Sequence, residues 1–113
     1  MTYKQWDIVL IKFPFTNLSN YKLRPALIVS NSNFNKFENL MLIWIYWNKW
    51  NSNYSLPIKQ ENLENWKLNK QSFFRFHNIF SLERSLIQKK VANLKSDNLN
   101  IINNKIKDFL DVL

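Results

Sequence analysis

One histidine and three arginines are the side chains in this sequence best suited to work on a phosphodiester. Arg24 stands at the start of Leu23-Arg24-Pro25-Ala26-Leu27-Ile28-Val29, and Pro25 steers the residue before it away from helix toward extended backbone. Arg75 and His77 lie two apart in Phe73-Phe74-Arg75-Phe76-His77, so strand alternation puts them on one face, with Phe74 and Phe76 on the other. Cleaving RNA without a metal requires a group to take the 2′-hydroxyl proton, a group to protonate the departing 5′-oxygen, and cations for the phosphorane oxygens. An imidazole carries protons near neutral pH, and a guanidinium grips phosphate through two parallel N–H donors. His77, Arg75 and Arg24 are therefore the candidate catalytic set, provided that the fold brings them together. The same residues have plainer uses: His77 as a polar group on a solvated strand face, Arg24 and Arg75 as surface partners of Glu38 or Glu83.

Rings interleaved with a cation form a second candidate feature, Tyr46-Trp47-Asn48-Lys49-Trp50. If Trp47 and Trp50 face solvent they offer stacking platforms for unpaired bases, at roughly 1 to 3 kcal/mol per base. Most aromatic side chains in a domain this small belong to a core or an interface, and that alternative stands beside the first.

These residues need strands to hold them. Trp6 to Thr16 and Leu23 to Asn31 are rich in β-branched and aromatic residues, and Asn17 to Lys22 between them is turn-like, which predicts a β-hairpin. Leu40 to Trp47 is a continuous apolar run of strand length, expected to be buried on both faces. Asn48 to Asn53 reads as a loop, Ser55 to Ile58 as a short edge strand that tolerates Pro57, and Glu61 to Lys70 as an irregular connection. Ser81 to Leu86 is expected to make a short helical turn, and Gln88 to Leu94 a last strand. Leu99, Ile102, Ile106, Phe109, Leu110 and Leu113 recur at helical spacing behind Ser96 as N-cap, with Asp97 in the first turn. Strands followed by one terminal helix predict a mainly β fold, a small antiparallel barrel or strongly bent sheet with a helix packed on it.

Composition narrows the function classes. The 113 residues are read as one domain, 1–113, large enough to bury roughly two-thirds of its unfolded surface. Cysteine is absent, which excludes a disulfide scaffold, a zinc-thiolate site and a thiol nucleophile, and suits a reducing compartment. The first residues lack a signal-peptide pattern and no apolar run approaches the roughly 20 residues of a membrane span, so a cytoplasmic protein without a membrane partner is expected. A net charge of +8 suggests an anionic partner, nucleic acid first. An AT-rich coding sequence would also enrich lysine, asparagine, isoleucine and phenylalanine whatever the function. Glycine is absent as well, so asparagine clusters such as Asn31-Ser32-Asn33, Asn51-Ser52-Asn53 and Asn103-Asn104 are expected to serve in turns that need a positive φ.

Trp6-Asp7-Ile8-Val9-Leu10, Phe13-Pro14-Phe15-Thr16, Arg24-Pro25-Ala26-Leu27-Ile28-Val29-Ser30-Asn31 and Ser72 to Ile87 together resemble the MazF/PemK toxins of bacterial type II toxin-antitoxin systems. The resemblance spans nearly the whole chain, with gaps in the middle. It implies an SH3-like barrel of the MazF/PemK/CcdB kind with a C-terminal helix, a homodimer, and an endoribonuclease that needs no metal or other cofactor. Such an enzyme would cut single-stranded RNA to a 2′,3′-cyclic phosphate and a 5′-hydroxyl, and a cognate antitoxin protein would cover the same surface. It also implies that Arg24 is the active-site arginine and Arg75 a second one. Thr16, Lys22, Tyr46, Trp47 and Lys49 are expected along an RNA groove. Two positions depart from the pattern: Tyr46 stands where the family usually has threonine, and His77 where it commonly has aspartate. An inactive relative that only binds RNA, and a protein-directed toxin like the gyrase poisons, are the competing expectations. Removing Asp111-Val112-Leu113 should abolish the effect of a gyrase poison and spare RNA cleavage.

Overall fold

Residues that alternate between two apolar faces make seven strands among the described residues, all in one antiparallel sheet. The computed structural model describes residues 2–13, 22–47, 54–68, 70–95 and 99–110, apart from the side chains of Phe13, His77 and Phe109. Strands β1 (Asp7–Phe13) and β2 (Lys22–Ile28) form the expected hairpin pair, with Ile8 opposite Leu27 and Phe13 opposite Lys22. β3 (Asn39–Tyr46) lies on the other side of β2, β4 (Ser55–Pro57) is an edge strand, and β5 (Leu63–Glu64) is the opposite edge. β6 (Phe73–Glu83) pairs with β3 and β4, and β7 (Ile87–Leu94) with β1 and β5, giving the order β4-β6-β3-β2-β1-β7-β5. Helix α1 (Leu99–Leu110) follows. The sheet curls into a half-barrel with α1 against it, the small barrel-like fold that the sequence predicts.

Four details differ from the sequence-based expectations. The connection after β4 is not wholly irregular, since a 3-10 turn at Gln60–Asn62 leads into β5. β6 runs through Glu83, so the expected turn is confined to a 3-10 segment at Arg84–Leu86. Asn103 and Asn104 lie inside α1 rather than in a turn. Among the described residues it is Trp6 (φ 75°) and Asn65 (φ 69°) that take positive φ. Asn65 does so cheaply, whereas for a bulky indole residue the conformation is strained. Trp6 is held there by backbone bonds to two strands: its N–H donates to Ile28 (2.7 Å) and its carbonyl accepts from Leu94 (3.0 Å). Ser96, Asp97, Leu113 and the 48–53 loop lie outside the described residues.

Two apolar clusters occupy the two sides of the sheet. Ile8, Leu27, Ile43 and Ile45 point with Ala92 and Leu94 toward Ile102 of α1. Val9, Ala26, Ile28, Leu40 and Leu42 point the other way, joined by Trp44 and Phe80, whose rings stack at 4.3 Å. β3 is thus buried on both faces, as its unbroken apolar run predicts. No described helix is long and apolar enough to cross a membrane.

The pairing of β3 with β6 contains the feature that shapes the site. Ile43 pairs with Ile79 and Ile45 with Phe74, so the single residue Trp44 stands against the whole run Arg75-Phe76-His77-Asn78. An odd number of extra residues inverts the side-chain phase. Phe74 and Phe76 therefore pack on the helix side, while Phe80 and Leu82 pack on the other side. Phe76 is fully buried, so Phe76→Ala is expected to lower unfolding free energy by about 3 to 5 kcal/mol. Phe37, 68% exposed, should cost within about 0.5 kcal/mol when changed to alanine, and urea titration measures both.

Candidate nucleic-acid interface

Arg24 and Tyr46 occupy the same sheet face because of where they fall in the β2–β3 ladder. Ala26 pairs with Trp44 on the face away from α1. Two residues further along both strands that apolar row becomes Arg24 and Tyr46, on the same side. Pro25 lies beyond the paired stretch Ala26 to Ile28, so its missing N–H interrupts no β2–β3 bond.

Arg75 shares this face because it alternates with Phe74, which pairs with Ile45 on the helix side. Its guanidinium carbon lies 3.9 Å from the centroid of the Tyr46 ring, a cation–π stack. Asn78, at the other end of the slipped run, donates from Nδ2 to the Tyr46 hydroxyl at 3.1 Å. The phenol is thereby fixed at both ends, ring under a guanidinium and oxygen held by an amide. β2, β3 and β6 are neighbours, so the backbones carrying Arg24 and Arg75 stand roughly 10 Å apart with Tyr46 between them.

A cleft of about 470 Å³ opens beside Tyr46. Lys22, Leu23, Arg24 and Pro25 of β2, Ile45 and Tyr46 of β3 and the following Trp47 line one part of it. Trp66, Lys67, Leu68, Lys70 and Ser72 form the facing wall. Four of these residues are cationic and none is acidic. Lys70 Nζ sits 5.0 Å from the Trp47 ring centroid, and Trp47 is 64% exposed. Such a cleft attracts an anion that also carries flat apolar groups.

The candidates picked from sequence divide accordingly. Lys22, Arg24, Tyr46 and Trp47 line one cleft, and Arg75 lies against Tyr46 at its edge. His77 belongs to β6 within the slipped run, so simple alternation with Arg75 does not carry through it; its side chain lies outside the described residues. Thr16, Lys49 and Trp50 also lie outside them. Sequence reading missed Asn78 and the wall from Trp66 to Ser72. A tryptophan followed by two lysines, Trp66-Lys67 with Lys70, was a usable signal for that wall. Nothing in the sequence announced that Asn78 would reach Tyr46, because the contact depends on the slip.

Tyr46→Phe keeps the ring under Arg75 and loses only the hydroxyl, so a cost of about 0.5 to 1.5 kcal/mol in stability is expected. A double-mutant cycle of Tyr46→Leu with Arg75→Ala, read by urea unfolding, should show a coupling of about 0.5 to 1 kcal/mol.

Comparison with known proteins agrees with this fold. No curated protein matches the chain by sequence. An endoribonuclease in complex with its cognate antitoxin, from a mycobacterial species, superimposes with a TM-score of 0.78 at 12% identity, over 99% of this chain and 100% of that one. The MazE–MazF complex of Deinococcus radiodurans gives 0.77 at 15% identity, over 97% of each chain. The Mycobacterium tuberculosis toxin MazF-mt6 gives 0.75 at 16%, over 95% of this chain and 98% of that one. At such identities these likenesses establish the fold. The model of the PemK-like, MazF-like toxins of type II toxin-antitoxin systems matches residues 4–110, nearly the whole chain, and the chain belongs to that family.

Proposed function

We propose that this protein is the toxin of a type II toxin-antitoxin pair and cuts single-stranded RNA in the cleft beside Tyr46, without a metal ion. The observation that carries the reading is the pair of arginines, Arg24 in the cleft and Arg75 at its edge, on strands either side of one fixed phenol, with every charged residue of the cleft lining cationic. The family and the structural likeness to endoribonucleases support the same reading.

The reaction needs no more than these groups and a proton carrier. The 2′-oxygen attacks the adjacent phosphorus, the O2′–P bond forms, and the P–O5′ bond breaks, leaving a 2′,3′-cyclic phosphate and a 5′-hydroxyl. Arg24 stabilises charge on the non-bridging oxygens, and Arg75 assists as a second clamp or as the acid for the leaving oxygen. The Tyr46 hydroxyl accepts from Asn78 and so can turn its own proton toward a phosphate oxygen. His77 transfers protons between the two oxygens. Thr16, Lys22, Trp47 and Lys49 hold the flanking strand, a homodimer carries the cleft, and the antitoxin blocks it in the cytoplasm.

Incubation with a mixed RNA pool, followed by end-group analysis, tests this. Cyclic-phosphate and 5′-hydroxyl ends are expected. Arg24→Ala should lower the cleavage rate by about 10²-fold or more, and His77→Ala by about 10²- to 10⁴-fold with a changed pH profile. Binding of a strand that resists cleavage should weaken with salt at a slope of about −2 to −3, since each neutralised phosphate contributes about −0.7. Binding without cleavage under any salt or pH would leave an RNA-binding protein and overturn the nuclease reading.

A further inference from the structure

The wall facing Arg24 has a construction of its own. Trp66 and Leu68 pack against the core cluster on the helix side while also lining the cleft. Their backbone is tied down by one side chain: Gln60 donates from Nε2 to the Trp66 carbonyl at 2.6 Å and accepts at Oε1 from the Leu68 N–H at 2.7 Å. Gln60 thus satisfies the backbone on both sides of Lys67, as a neighbouring strand would. Asn65, with its positive φ, turns the chain into this wall.

Trp47, which lines the same cleft, is an indole left largely open to solvent, with the Lys70 ammonium against its ring. An exposed indole beside a cluster of lysines, facing a wall held by two short hydrogen bonds, suits a ligand with a flat π-face and a phosphate tether. We propose that the space between Trp47 and the Trp66-Lys67-Leu68 wall is a nucleobase subsite. Trp47 stacks one base of the bound strand, Lys67 and Lys70 meet its phosphates, and Gln60 is the positioning residue that keeps the wall in place. This rests on reading the cleft as a site for single-stranded RNA, and it adds to that reading where a base, as distinct from the scissile phosphate, is held.

The test uses 2′-O-methyl oligoadenylate and oligouridylate, whose blocked 2′-oxygens prevent self-cleavage, and the same ribose-phosphate backbone without bases. The full chain should bind the base-bearing strands at least about tenfold more tightly than the base-free strand. Trp47→Ala should remove most of that difference and Trp47→Phe should restore it. Gln60→Leu should weaken the base-bearing strands by a clearly larger factor than the base-free strand, because the wall beside the base is loosened while backbone charge is unchanged. Equal binding of all strands, a Trp47→Ala loss shared by the base-free strand, or no binding at all would overturn the subsite. Base-dependent binding with unmodified RNA left uncut would instead overturn the nuclease reading and leave the subsite standing.

Discussion

A slip in register between β3 and β6 is the constraint on which the site depends. Without it, strict alternation would put Phe74, Phe76, Phe80 and Leu82 on one side of the sheet and Arg75 on the other side from Phe80. With it, Phe74 and Phe76 enter the helix-side cluster and Phe80 stacks on Trp44 across the sheet. Both sides of the sheet gain an aromatic, and the residues at the two ends of the slipped run, Arg75 and Asn78, are delivered to Tyr46. One irregularity therefore serves core packing and site assembly together. Its disruption would expose buried rings as well as release the guanidinium, which couples the site's geometry to the stability of the fold.

The site's remaining order comes from regular structure. Arg24 and Tyr46 share a face because β2 and β3 continue the row that Ala26 and Trp44 begin. Rigid strands hold both guanidinium groups, so little conformational freedom is lost when a phosphate arrives. The facing wall has no long strand to rest on and depends on Gln60 and on the burial of Trp66 and Leu68 instead. The charged residues of the cleft are all cationic, and Trp47 adds a largely exposed aromatic ring to them.

Where local pattern determines structure, the sequence was legible. The hairpin of β1 and β2, the doubly buried β3, the proline-bearing edge strand and the amphipathic terminal helix all follow from periodicity and turn chemistry. Arg24 at the entry of β2 and Tyr46 and Trp47 at the end of β3 were legible one by one, whereas the pairing of β2 with β3 that brings them together was not. The slip was not legible, since Phe74, Phe76, Phe80 and Leu82 share one parity and read as a single uninterrupted face. Only the packing demand of two clusters on opposite sides breaks that phase, and that demand is a property of the assembled sheet. The Trp66 wall was hidden for a related reason. Its support is a side chain six residues away, acting through backbone bonds that no periodicity encodes.

On the proposed function, Arg24 of β2 and Arg75 of β6 address one phosphate across Tyr46. A crystal structure of the protein with a single-stranded oligonucleotide blocked at the 2′-oxygen measures this directly. One backbone phosphate is expected within hydrogen-bond distance of both guanidinium groups and of the Tyr46 hydroxyl. A strand bound on the α1 side of the sheet, or one whose phosphates meet Arg24 while Arg75 stays turned from them, would contradict it.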